Sequence, residues 1–360
     1  MKITVNQKVL RQALESAVKA INQKPTVPIL SNFLLKGDGE TLQIIGSDSN
    51  ITIIESFPNS AQGSVVVPVN FLELVKNLPE EVVEIETGER IITVSWKNGH
   101  STLPSFEADD YPDITKSDGK GYSISADKFV SALNHTIPCI ADDDLRPVMG
   151  GVYFKVKEKN IDVVATDSRV LSKVEIETPE NEEQFDFIIP APALSAVKSA
   201  VKGGEDIEIL HDDTNCVFRV GGTTVISRRI LGSFPRYEAV IPKEFNATLK
   251  AKKNDLISTL KRILVCASKS SGHIKLSLNM LNNTIEAQDL SFSTAAKESP
   301  DNILFEGQDL TIGFKGEYLI KAIQTLESVD VEIKFTDARR AAIITSDSDP
   351  CTILLMPVQV

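Results

Sequence analysis

Apolar side chains near the start of the chain recur about one helical turn apart, at Leu10, Leu14, Val18 and Ile21. The same spacing returns at Phe129, Leu133, Ile137 and Ile140, then at Leu256, Leu260 and Leu264. Spacing of this kind places apolar groups on one face of a helix. A second helix is predicted in each part, over residues 69–80, 191–203 and 315–328. In the middle one, Pro190 and Pro192 sit at the start, where unpaired N–H groups make proline harmless, and Gly203-Gly204 ends it. Segments 151–156, 161–166, 216–220 and 223–228 alternate or are rich in β-branched residues, which predicts strands. Their turns carry Gly37-Asp38-Gly39, Lys159-Asn160 and Gly221-Gly222. The order in each part is helix, strands, helix, strands. That is an α+β class with antiparallel sheets, because regular strand–helix alternation, the mark of a doubly wound parallel sheet, is missing.

The elements also repeat. Val83-Glu84-Ile85, Ile207-Glu208-Ile209 and Val331-Glu332-Ile333 are spaced by 124 and 124 residues. Leu42-Gln43-Ile44, Ile161-Asp162-Val163 and Ile285-Glu286-Ala287 lead to Asp48, Asp167 and Asp289, offset by 119 and 122. A period near 120 is too long for a solenoid and is the size of a domain. The expectation is three tandem copies of one domain, at residues 1–120, 121–246 and 247–360. The first seam is the polar Lys116-Ser117-Asp118-Gly119-Lys120-Gly121, and the second is Pro242-Lys243-Glu244-Phe245-Asn246.

Composition narrows the class. With 360 residues, 42% apolar and 24% charged, each copy can bury a full core, which excludes disordered and disulfide-scaffold chains. No apolar run reaches membrane-spanning length, and MKITVNQKVLRQ has no secretory pattern. Cys139, Cys216, Cys266 and Cys351 lie far apart, as reduced thiols of a cytoplasmic protein do. The net charge of −12 argues against a generally basic nucleic-acid binder, but the six predicted helices (the longest at 5–24, 127–141 and 250–269) sum to +9. The rest therefore carries −21. Basic helices on an acidic chain are either ordinary lysine-rich surface or the footprint of a phosphate backbone. Aromatics are not interleaved with these cations, and no helix-turn-helix, zinc-finger or basic-zipper signature occurs. Nucleic acid, if bound, is expected to be duplex and read without sequence preference.

No catalytic signature emerges: there is no Walker loop, Gly-x-Gly-x-x-Gly after a strand, His-Glu-x-x-His or Gly-x-Ser-x-Gly. His100, His135, His211 and His273 are scattered. His135 and Cys139 share a helix face, but no second pair completes a metal site, so a surface histidine and a core thiol are expected. Asp142-Asp143-Asp144 reads as an acidic loop, with metal-dependent hydrolysis as the alternative, and Asp347 and Asp349 read as a polar turn. Neither an enzyme nor a cofactor is expected. The chain ends Thr352-Ile353-Leu354-Leu355-Met356-Pro357-Val358-Gln359-Val360, an apolar tip that either finishes a core or lines a pocket.

Four segments carry a family resemblance: Lys24-Pro25-Thr26-Val27-Pro28-Ile29-Leu30, Val164-Ala165-Thr166-Asp167-Ser168, Gly232-Ser233-Phe234-Pro235-Arg236-Tyr237 and Leu355-Met356-Pro357. In that order and spacing the chain resembles the bacterial replication sliding clamps, the β subunit of DNA polymerase III, over essentially its whole length. The resemblance implies a homodimeric ring around duplex DNA, nucleoid-associated in the cytoplasm, acting as a processivity factor. Helices would line the hole, with Lys8, Arg11, Lys24, Lys198, Lys202, Lys252 and Lys253 facing the phosphates. It also implies a pocket for short peptides of polymerase, clamp loader and repair proteins, between domains 2 and 3. The matching residues are Arg146, Met149, Thr166, Ser168, Arg169, Val170, Leu171, Pro235, Val240, Leu354, Leu355, Met356, Pro357 and Val358. Three departures bear on peptide preference: Arg169-Val170 stands where His-Arg is frequent, Ala239 where a basic residue is common, and Gln359-Val360 where Arg-Leu is usual. The competing reading is a three-domain structural or protein-binding module without nucleic acid.

Overall fold

A computed structural model describes residues 1–22, 24–114, 119–143, 145–178 and 184–360. The first third runs β1 (Lys2–Asn6), α1 (Gln7–Ala17), β2 (Asn32–Asp38), β3 (Thr41–Ser47), β4 (Ile51–Pro58), β5 (Gln62–Pro68), α2 (Phe71–Lys76), β6 (Val82–Thr87), β7 (Ile91–Trp96) and β8 (Gly99–Pro104). The second runs β9 (Lys120–Ser125), α3 (Ala126–Thr136), β10 (Gly151–Val156), β11 (Asn160–Thr166), β12 (Val170–Glu177), β13 (Phe185–Pro190), α4 (Ala191–Ala200), β14 (Asp206–His211), β15 (Asn215–Val220) and β16 (Thr223–Arg228). The last runs β17 (Ala247–Lys252), α5 (Lys253–Leu264), β18 (His273–Leu278), β19 (Thr284–Asp289), β20 (Thr294–Glu298), β21 (Ile303–Gly307), β22 (Leu310–Lys315), α6 (Gly316–Thr325), β23 (Asp330–Phe335), β24 (Ala342–Thr345) and β25 (Cys351–Leu355).

The chain divides into two compact units, residues 1–129 with 189–229, and residues 130–188 with 230–360. In the first unit are the four-stranded sheet β1-β6-β7-β8 and the eight-stranded sheet β5-β2-β3-β4-β16-β15-β14-β9. In the second are β20-β19-β18-β22 and the nine-stranded β13-β10-β11-β12-β25-β24-β23-β17-β21. One strand order therefore occurs three times, as β1-β6-β7-β8, β9-β14-β15-β16 and β17-β23-β24-β25. A second order also occurs three times, as β5-β2-β3-β4, β13-β10-β11-β12 and β22-β18-β19-β20, with β21 the one added strand. Successive copies are joined edge to edge. β4 pairs with β16, placing Ile54 opposite Thr224, and β12 pairs with β25, placing Leu171 opposite Leu354. The pairings are antiparallel, so this is the α+β class read from the sequence.

The repeated sequence echoes have a common physical cause. Asp48, Asp167 and Asp289 each follow the same strand of their copy, and each Oδ1 accepts two backbone N–H groups two and three residues on. This Asx turn closes the hairpin into β4, β12 or β20, and it holds Ser49 and Ser168 at φ 77° and 78°. The helix stripes pack as spaced: Leu10, Leu14, Phe129, Leu133, Leu256 and Leu260 are buried. Leu10 and Leu14 share a core with Phe71 and Val75 of α2 and with Phe33, Ile44 and Ile85 beneath.

Helix ends differ from expectation. Regular α-helix stops at Ala17 and at Thr136, each followed by one 3-10 turn, the second of which contains Pro138 with no N–H to give. Expected helix 250–269 starts later, because Lys250-Ala251-Lys252 alternates exposed and buried and belongs to β17. Expected helix 69–80 shrinks to α2, and 191–203 and 315–328 lose their last residues. The charge balance changes with them. The observed helices hold nine cations and five anions, +4 rather than +9, and the remaining basic groups lie just beyond the helix ends.

Candidate functional site

All fourteen expected pocket residues lie in the second unit, around the junction of β12 and β25. Strand alternation sorts them onto two faces. Leu171 and Leu354 sit opposite one another on a face where they form a cluster with Tyr153, Val164, Ile188, Tyr237, Ala341 and Ile343. Thr166, paired with Leu171, has the same orientation. Val170 and Leu355, the next pair, point the opposite way, and they, like Leu171 and Leu354, are almost fully buried. In the apolar tip, Leu355 is buried at the junction and Leu354 joins the buried cluster on the other face.

The segment from Ile230 to Ile241 lies against this cluster, with Ile230, Phe234 and Ile241 packed on it beside Val148. Phe234 stacks on Tyr153 at 4.5 Å between ring centres, and Tyr237 meets Tyr153 edge-on at 6.2 Å. Gly232, at φ 129°, lets the chain pass close to Val148; a Cβ there would stand 2.7 Å from Val148 Cγ1. Val240 is 53% exposed and Met356 42% exposed, two apolar groups in water at the margin of the buried cluster. Pro235 and Met149 are half-buried. Pro357 and Val358 continue past β25, where the Val358 N–H donates to Gly313 O at 2.8 Å.

Polar groups fix the frame. Arg146 donates to Asp167 O at 3.0 Å, Ser168 Oγ at 2.6 Å and Asp143 Oδ2 at 2.5 Å, so it ties the loop before β10 to the turn between β11 and β12. Asp143 is held below its ordinary range by Arg146. That engagement makes Asp143 a structural anchor; Asp142 is exposed, and Asp144 lies outside the described residues. Thr166 Oγ1 donates to Val170 O at 2.7 Å, and Arg169 O accepts from the Met356 N–H at 2.9 Å. The Arg169 guanidinium lies 5.8 Å from the Tyr318 ring centre, a cation–π distance. Under the cluster, Tyr237 donates to Asp162 Oδ2 at 2.6 Å, and Lys157 and Lys173 reach the same carboxylate at 2.7 and 3.3 Å. Burial pushes the Asp162 carboxyl up, but Lys157, Tyr237 and Lys173 outweigh it and hold it below the usual range. Desolvation and Asp162 together push the Tyr237 hydroxyl far up.

Tyr153, Phe234, Tyr237 and Tyr318 were not among the expected pocket residues. Phe234 and Tyr237 stand in the segment that carries the resemblance, so a signal existed; Tyr318, reached only through the fold, had none.

The expected DNA-facing residues fall in both units. In the first, Lys8 and Arg11 are exposed on α1 and Lys198 on α4, two helices in contact. Lys24 and Lys202 are exposed but lie beyond helix ends. In the second, Lys252 is on strand β17 and pairs with Asp330 at 2.7 Å, while Lys253 opens α5 and turns its Nζ onto Leu326 O. Arg11 pairs with Glu15 at 3.0 Å. Exposed ion pairs such as Lys252–Asp330 and Arg11–Glu15 are worth at most ~1 kcal/mol.

His135 and Cys139 do not form a shared site. The Cys139 thiol is turned toward the His135 carbonyl, and burial pushes it up to about 12. No helix among the described residues is long and apolar enough to cross a membrane.

Three family descriptions match the chain in succession: DNA polymerase III beta subunit, N-terminal domain, over residues 1–115; central domain, over 123–236; and C-terminal domain, over 238–359. The beta sliding clamp of Synechococcus elongatus is 28% identical, covering 100% of this chain and 99% of that protein. Crystal structures of a Pseudomonas aeruginosa sliding clamp bound to griselimycin and of the Streptococcus pyogenes DNA polymerase beta subunit both superpose with a TM-score of 0.95. They are 22% and 20% identical, with full coverage of both chains in each case.

Proposed function

Because the chain belongs to the DNA polymerase III beta subunit family in all three of its parts, we propose that it serves as a DNA polymerase processivity factor in the form of a homodimeric ring around duplex DNA. The observation that carries the ring is the threefold strand order. The β4 edge of the first copy takes β16 of the second, and the β12 edge of the second takes β25 of the third. The corresponding β20 of the third copy and β8 of the first stand at sheet ends. Pairing β20 of one chain with β8 of another repeats a junction already made twice, and two such junctions close the assembly. The seams at residues 120 and 246 fit this division into three domains.

Lys8, Arg11, Lys24, Lys198 and Lys202, with Lys252 and Lys253, supply phosphate contacts that carry no base information. Sliding requires weak, sequence-blind contacts of this kind, with retention supplied by closure. The aromatic and aliphatic cluster around Leu171 and Leu354, rimmed by Val240, Met356 and Pro235, suits the apolar side chains of a short partner peptide from polymerase, loader or repair proteins. The role asked of the protein is tethering, with the chemistry left to the polymerase.

Primer extension under single-encounter conditions tests the reading. With a compatible loader and polymerase, products lengthen when this protein is added. Unchanged product length, with a cognate clamp active in the same mixture, contradicts it.

A further inference from the structure

His135 occupies the last turn of α3 with its ring fully buried. Its Nδ1 lies 2.9 Å from Thr325 O. A carbonyl only accepts, so Nδ1 carries the hydrogen and Nε2 is the nitrogen left to act as a ligand. Nε2 is buried and has no hydrogen-bond partner. It faces Asp349 Oδ1 at 3.9 Å, too far for a hydrogen bond. The Glu327 carboxylate completes a group whose three ligand atoms lie within 4.8 Å of one another.

Asp349 is firmly held. Its Oδ2 accepts from Ser346 Oγ at 2.7 Å and from the Ser328 N–H at 3.1 Å, and Oδ1 accepts from the Glu327 N–H at 3.2 Å. These bonds fix the carboxylate in place with its Oδ1 toward the ring. A buried ring nitrogen without a hydrogen-bond partner, aimed at one carboxylate and within 4.8 Å of a second, is placed as a cation ligand would be. A histidine whose other nitrogen is anchored on a backbone carbonyl is also the usual posture of a metal ligand.

We propose that His135 Nε2, Asp349 and Glu327 bind one divalent transition-metal ion, zinc by the character of the donors. Ligand bonds of about 2.0–2.2 Å leave donor atoms roughly 3.3–3.6 Å apart around a tetrahedral ion, so His135 and Asp349, at 3.9 Å, need only a small inward shift, and Glu327, within 4.8 Å of both, closes by turning its exposed side chain. Glu327 is exposed and gives the ion its path from solvent, with water as the fourth ligand. Imidazole in the donor set favours zinc over magnesium or calcium. The bound ion would staple the end of α3 to the residues after α6 and to the turn between β24 and β25. His135 is more than 180 residues from the other two ligands in the chain, and all three lie in one compact unit.

The test is a zinc titration of the chelator-stripped full-length protein against a chromophoric competitor, repeated with cobalt to read the coordination spectrum. The wild type takes up one equivalent per chain. Glu327→Ala, a surface change that leaves the fold intact, weakens the affinity at least ~tenfold, and Asp349→Asn abolishes uptake. Absence of stoichiometric uptake overturns the proposal, as does uptake unaffected by Glu327→Ala. A His135 ring shown by NMR to be protonated at neutral pH and indifferent to zinc overturns it too, because a proton then fills the position assigned to the metal.

Discussion

Two lysines and a tyrosine converge on Asp162, which is fully buried beneath the aromatic cluster. A carboxylate in that position is stable only while its partners stay, and each partner holds a different element: Lys157 the end of β10, Lys173 β12, and Tyr237 the covering segment. Asp162→Asn removes the charge and leaves the lysines facing a neutral amide. The loss of charged hydrogen bonds predicts ~2–3 kcal/mol of destabilisation, read as a lowered urea midpoint at neutral pH. The sign with pH follows from the lowered native value. The contribution is complete above the ordinary 3.8 and disappears as pH falls through the lower value of the folded protein. Wild type and Asp162→Asn should therefore converge in stability in strong acid; a gap that stays constant down to pH 2 contradicts the assignment.

Helices and strands were legible wherever a single element decides its own pattern. The stripe Leu10–Leu14 and its two echoes are helical because one face is buried, and β10 and β16 begin and end where the segments expected at 151–156 and 223–228 do. Ends were legible only in part: Lys250-Ala251-Lys252 looks like helix in a charge count and is strand in the fold, because Ala251 is buried between β21 and β23. The pairing of β12 with β25 left no local mark, since edge-to-edge backbone bonds are indifferent to side chains. That pairing nevertheless decides which residues of Thr352–Met356 face the cluster. Leu354 and Met356 share one orientation and Leu355 the other, and of the three only Met356 is exposed. Met356→Ala, at an exposed site, predicts a loss of ~1–2 kcal/mol for a Leu/Phe-containing peptide, roughly five- to thirtyfold in Kd by fluorescence anisotropy, with the melting temperature unchanged. Unchanged affinity would move the groove elsewhere.

At the scale of the whole molecule, the threefold echo near period 120 was the most legible feature, and the joining of successive copies the least. The net charge of −12 hides basic groups gathered at and just beyond helix ends, and only the fold separates Lys252, paired with Asp330, from exposed Lys8 and Lys198. The open β20 edge has its own apolar neighbours: Val265 and Leu290 are each 83% exposed and Phe292 71%. Such groups in water mark an interaction surface. Changing Val265 and Phe292 together to Asp predicts a shift from dimer to monomer in light scattering, with secondary structure retained, because neither side chain is part of a core. A variant that stays dimeric would place the junction on another edge.

Closure around DNA is the central claim, and retention on singly nicked circular plasmid after loading by an active clamp loader tests it most directly. The protein should stay on circles through a high-salt wash and be lost when the circle is linearised, because weak phosphate contacts melt in salt while a closed ring leaves only over an end. Binding that falls with salt and ignores DNA ends would contradict the account.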